Sequence, residues 1–164
     1  MSRTIIMGLV ALLLTGVSSA VHACPMWRPI DLNLVSEAEL VVVGRITDYT
    51  SILGPTPAKP AIPHARFKVL IDEVILGQTA KKAIPVVWIN STFGEPQTLL
   101  PGPWLIALHD LNTFPRDRSI GEYVKPALEP GTMTILQAPC SSAFLFENAS
   151  NEAAAVRNLL TRKR

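Results

Sequence analysis

The side chains in these 164 residues best suited to chemistry are two cysteines, three histidines and a few neighbouring carboxylates. His109-Asp110, with Cys140 downstream, has the residue types of a thiol nucleophile, its base and an orienting acid. That chemistry needs a thiolate whose pKa is lowered by an adjacent imidazole. No family-like signature surrounds Cys140, and in an oxidising compartment its thiol is consumed in a disulfide, so catalysis is not expected. Metal ligation by the chain's own side chains fares no better. His22 falls in a leader, and His64 and His109 stand far apart with no spacing that suggests a site. The chain contains no Gly-rich phosphate loop, no H-E-x-x-H and no G-x-S-x-G. Glu37 with Glu39, and Asp72 with Glu73, read as charges flanking strands. No enzyme, no cofactor and no metal is expected from these residues.

Compartment follows from the first residues. Arg3 supplies a positive n-region, residues 5–14 an uncharged apolar h-region, and Val21-His22-Ala23 a small-residue cleavage site before Cys24. The apolar run is ten residues, short of the roughly 20 that span a bilayer. Residues 1–23 are therefore expected to be a signal peptide and 24–164 a single exported domain, periplasmic or secreted. Removing the leader takes away one charge, Arg3, and leaves 14 basic against 13 acidic residues. So even a balance argues against a nucleic-acid surface. Two lone cysteines, Cys24 and Cys140, read in such a compartment as one disulfide. Val21-His22-Ala23-Cys24 also loosely matches a bacterial lipobox, in which Cys24 would carry a lipid and the membrane would become a partner. The two readings exclude each other.

The elements that must position these residues are mostly strands. Leu40-Val41-Val42-Val43 is a continuous apolar run, Gly44 interrupts it, and alternation resumes at Arg45, which predicts a strand over 40–49 buried on both faces at its start. The mid-strand glycine predicts a bulge. Further strands are expected at 65–76, where Phe67, Val69 and Ile71 alternate with polar positions, and at 84–89, 104–108 and 132–138. Asp31 is placed to cap a short helix ending near Ala38, with Leu34, Val35 and Ala38 on one face. Ser150 is placed to cap a last helix over about 150–160, with Ala155, Val156, Leu159 and Leu160 on one face. Residues 51–63 carry four prolines and a glycine, and 90–103 and 111–131 are also loops. Trp88 and Trp104 fall in strands and are expected in the core. The architecture expected is mainly β, a five-stranded closed OB-like barrel with a C-terminal α-helix, since closure removes the edges of so small a sheet.

The strand patterns resemble those of secreted modules of the tissue inhibitor of metalloproteinases and netrin type, including bacterial relatives. The residues concerned are Cys24, Glu39-Leu40-Val41-Val42-Val43-Gly44-Arg45-Ile46, and Phe67-Lys68-Val69-Leu70-Ile71-Asp72-Glu73-Val74-Ile75-Leu76-Gly77. Leu100-Pro101-Gly102-Pro103-Trp104-Leu105-Ile106-Ala107-Leu108 and the late Cys140 complete the pattern. The resemblance implies the five-stranded OB-fold. It also implies that Cys24, if cleavage falls after Ala23, could act as the eukaryotic inhibitors' first residue does, chelating a protease zinc through its amino group and carbonyl. The chain departs from the family's C-x-C start, since Met26 stands where the second cysteine would be.

What remains for function is a scaffold with long loops. The expected role is protein binding, inhibitor-like, with no turnover and an unknown protein partner. Pro25, Met26, Trp27 and Phe93 are the expected contact residues, with Cys24 and Cys140 expected to form the bridge that ties the segment down. Trp27 either packs over that bridge or stands out as an anchor. The alternative role is an envelope lipoprotein with a structural or scaffolding task, anchored through Cys24.

Overall fold

The run Leu40-Val41-Val42-Val43 opens strand β1 (Leu40–Ile52) in the computed structural model, which describes residues 28–52, 64–89, 96–110 and 128–162. The other strands are β2 (His64–Leu76), β3 (Ala83–Trp88), β4 (Trp104–Asp110), β5 (Met133–Ile135) and β6 (Leu145–Glu147). A 3-10 helix (Leu32–Glu37) precedes β1, and helix α1 (Asn151–Thr161) follows β6. β1 pairs antiparallel with β2 on one edge and with β4 on the other. β2 pairs antiparallel with β3, β3 parallel with β5, and β5 antiparallel with β4. The ring β1-β2-β3-β5-β4-β1 is thus a closed, mixed, five-stranded barrel of OB-like order, with one C-terminal helix.

The pleat sends alternate side chains of β1 to opposite sides, and both sides are filled. Leu40, Val42 and Ile46 enter the barrel interior with Phe67, Val69, Val86, Ile106, Leu108 and Ile135. Val41 and Val43 face outward into a second cluster with Val35, Leu105, Phe144, Ala153, Val156 and Leu160. Each such side chain contributes about 1.5–3 kcal/mol on full burial. Polar alternation starts at Arg45, where the outer cluster ends and the side chain is exposed. Gly44 sits at a register shift against β2, and a Cβ there would collide with the Leu70 carbonyl. Only glycine lets the two strands approach so closely at the bulge.

Helix α1 covers the outer cluster. The Ser150 hydroxyl accepts from the Ala153 amide at 3.2 Å, the N-cap arrangement. Arg157 then ties the helix to β2 by donating from both terminal nitrogens to Glu73, at 2.8 and 3.1 Å. Its Nη2 also donates to Asn148 Oδ1 at 3.0 Å. This fork holds the Glu73 carboxyl below its ordinary range. Glu73 is exposed, so the pair orients the helix more than it stabilises it.

Several boundaries differ from the sequence expectations, each for a local reason. The first helix is 3-10, with Asp31 capping it by accepting from the Asn33 amide at 3.0 Å. Its period of three puts Val35 inward. In α1 the buried residues are Ala153, Val156 and Leu160, while Ala155 and Leu159 are half-buried. Trp88 is core, and Trp104 packs half-buried against the same inner cluster, donating its indole N–H to the Leu100 carbonyl at 2.8 Å. Ser51 and Ile52 extend β1 into the Pro-rich stretch, and Ile89 falls outside β3. The strand expected at 132–138 stops at Ile135 and is followed by an unexpected partner, β6.

Val156→Asp should destabilise the fold by several kcal/mol, since Val156 is fully buried and an aspartate there would be unpaired. Asn151→Asp, on the exposed first turn, should be near neutral. Urea unfolding of both variants beside the parent checks this, and an unchanged midpoint for Val156→Asp would mean that the helix is not docked.

Candidate functional site

β5 and β6 are two halves of one path along the edge of β4. Thr134 and Ile135 face His109 and Leu108, and then Leu145 and Phe146 face Ile106 and Leu105. Between the halves, residues 137–143 leave the sheet. The neck of this excursion is closed around Ala107. The Leu136 amide donates to the Ala107 carbonyl (2.9 Å), the Ala107 amide to the Phe144 carbonyl (3.0 Å), and the Phe144 amide to the Leu136 carbonyl (2.9 Å). A single bridge, Gln137 with Ala143, continues outward from the neck.

At the tip, the Ser141 amide donates to the Ala138 carbonyl at 3.3 Å, closing a four-residue turn over Pro139 and Cys140. Cys140 has φ +62°. Proline second and a positive φ third is the type II pattern, in which the third place normally belongs to glycine or asparagine. A cysteine there costs on the order of 1–3 kcal/mol and persists only where its surroundings hold it. Two contacts do so. The Arg28 amide donates to the Cys140 carbonyl at 2.9 Å, and Gln137 Nε2 donates to the Ser141 carbonyl at 2.9 Å. Gln137 Oε1 in turn accepts from the Trp88 indole at 3.2 Å. Among the described residues there is no free cysteine.

The segment leading to Cys140, the end of β3 and the chain at Arg28 therefore meet at one end of the barrel. Exposed apolar side chains flank the loop that leaves β3 there. Ile89 is 42% exposed, and Leu100, just before β4, is 71% exposed. The Tyr49 hydroxyl donates to the Pro96 carbonyl at 2.6 Å and fastens this loop to β1. Of the expected contact and bridge residues, Cys140 is described, while Cys24, Pro25, Met26, Trp27 and Phe93 lie outside the described residues, as do residues 1–23, where the leader is expected. Arg28, Gln137 and Ile89 carry no signal in the sequence that would mark them for a site, and Leu100 enters only as part of a strand pattern. Ile89 looked like the last residue of a strand, and a lone glutamine carries no motif.

The opposite end holds His109 and the carboxylates. Glu39 Oε1 accepts from the Asp110 amide at 3.2 Å, and the Glu39 amide donates to the Leu108 carbonyl at 3.0 Å, so the start of β1 is fastened across the end of β4. His109 lies between these two bonds in the chain and is buried, 7% exposed. Two shallow grooves mark the surface. One of about 270 Å3 crosses Arg66, Lys68, Pro85 and Leu128, and one of about 260 Å3 lies at the barrel mouth beside Glu39, Lys81 and Met133. Lys68 in the first is paired with Asp48 at 3.3 Å, and Lys81 in the second donates to the Pro130 carbonyl at 3.3 Å. Among the described residues no group of three or more His, Cys, Asp or Glu is arranged to hold a metal.

Compared with known proteins, the chain matches no family model and no curated protein.

Burial pushes the His109 pKa down, against the opposing pull of Glu39, Asp110 and Glu37. The unfolded chain then takes up this proton before the folded one does. Stability should be complete above the ordinary histidine pKa of about 6.5 and fall as pH drops from there through the lower folded value. Urea midpoints measured between pH 8 and 5 should show this loss, and His109→Gln should flatten it. An equally steep dependence in that variant would assign it to another group.

Proposed function

We propose that this chain is an exported protein-binding module that acts without turnover, and that its contact surface is the barrel end carrying Cys140. In this reading Cys24 bridges to Cys140, and the segment Cys24-Pro25-Met26-Trp27 lies across that end beside Phe93 of the loop after β3. The observation that carries it is the bond from the Arg28 amide to the Cys140 carbonyl. Four residues after Cys24, the chain is already fastened to the turn that holds the other cysteine, and that cysteine is not a free thiol.

A segment tied at both points loses little conformational entropy when it binds, so more of its contact energy becomes affinity. In this reading the exposed Ile89 and Leu100, which bracket the loop after β3 in the chain, supply further apolar area, and Trp27 is the type of side chain that anchors protein interfaces. An inhibitor-like role is the specific form of this proposal. It requires cleavage after Ala23, which would leave the Cys24 amino group and carbonyl free to meet a protease zinc. The partner is a protein and not a nucleic acid, in line with the even charge balance.

The test is capture on immobilised mature protein from native envelope or secreted extracts, followed by affinity measurement with the purified partner. Trp27→Ala should weaken binding by at least about tenfold, or 1.4 kcal/mol, while leaving the unfolding midpoint nearly unchanged. Unaltered affinity in that variant would remove this surface. Hydrolytic turnover abolished by Cys140→Ser or His109→Ala would overturn the reading as a non-enzyme. A diacylglycerol mass on Cys24 would favour instead a lipid-anchored envelope protein.

A further inference from the structure

The turn at Cys140 is a poor candidate for holding its own shape. Its closing bond, Ser141 amide to Ala138 carbonyl, is 3.3 Å long, beyond the usual range of such bonds, and its third residue has a backbone angle that L-residues avoid. The 2.9 Å bond from Gln137 Nε2 to the Ser141 carbonyl is the better one, and it spans the same residues from the neck side. The same amide group accepts the Trp88 indole proton through its Oε1. An indole N–H can only donate and a carbonyl can only accept, so these two partners fix which end of the Gln137 amide is nitrogen and which is oxygen. Reversing the amide would break both bonds. The glutamine amide offers a donor and an acceptor on one rigid plane, and asparagine is one methylene shorter.

We infer that Gln137 is the positioning residue of this barrel end: its amide sets the Cys140 turn from the end of β3, so that a change at Cys140 is transmitted to Trp88. The importance of this for binding rests on the reading above, that the Cys140 end is the contact end. Gln137 sits at the base of the excursion, where it bridges Ala143, and its side chain links the tip to β3. Trp88 is 6% exposed and packed in the barrel core, which makes it the fixed partner, and the strained turn the adjustable one. The state of Cys140, bridged or replaced, is then felt where the loop after β3 begins.

The test reads the Trp88 indole N–H of the full mature chain by nitrogen-15 NMR, assigned by its loss in Trp88→Phe. In the parent, Cys140→Ser should shift this resonance. In Gln137→Glu the carboxylate still accepts from Trp88 but offers no donor to Ser141. There the indole proton should stay protected from solvent exchange, while Cys140→Ser should no longer shift it. In Gln137→Leu the indole proton should also exchange faster, by roughly tenfold for a lost net hydrogen bond. Should Gln137→Leu fail to fold, Gln137→Glu decides alone. A Trp88 resonance indifferent to Cys140→Ser in the parent, or shifted as much in Gln137→Glu as in the parent, would overturn the proposal. The readout involves no partner, so its failure is distinct from failure of the capture experiment.

Discussion

Burial of β1 on both faces is the constraint from which the remaining structure follows. Four consecutive apolar residues in a strand present two to each side, and leaving either pair in water would forfeit several kcal/mol. Inward, Leu40 and Val42 are satisfied only if the sheet curls until β4 meets β1, and the Gly44 bulge is where the sheet bends. Outward, Val41 and Val43 are satisfied only if something covers the barrel wall. The 3-10 helix and α1 do so through Val35, Ala153, Val156 and Leu160. Closure and helix docking are thus two answers to one short run of residues.

The same outer cluster determines where the chain can leave the sheet. Leu136 and Phe144, the two residues of the neck, are both members of it, packed beside Ala107 and Val156. They anchor the excursion to the wall under α1, so that residues 137–143 project from a rigid base. This explains how a turn with an unfavourable cysteine at its third position is maintained. The cost is met by the neck, by Gln137 and by the Arg28 contact together. Cys140 is held by a scaffold whose stability comes from elsewhere.

The barrel was legible because its signals are local and redundant. β1 and β2 carry their periodicity over long stretches, Gly44 marks a bulge, and Ser150 and Asp31 are good caps that the structure uses as caps. What was not legible depends on contacts between distant parts of the chain. β6 is three residues long and exists because β4 has an edge left to pair after β5 turns away. Trp104 packs against the inner cluster as its type suggests but stays half-buried, with its indole N–H held by the Leu100 carbonyl, which its sequence does not mark. Gln137 has no periodic or motif signal, since its role comes from Trp88 on another strand. Of the residues expected at the contact and bridge positions, only Cys140 is among the described ones, and the structure places the Arg28 amide against its carbonyl, a contact that no pattern of residue types marks.

The central claim we propose is that the chain at Cys24 is fastened to the Cys140 turn. A non-reducing peptide map of the protein purified without reductant, with masses taken before and after reduction, tests it most directly. The account requires one disulfide-linked pair of peptides, containing Cys140 and an N-terminal Cys24 with an unmodified amino group. Free thiols at both positions, or a lipid on Cys24, would contradict it.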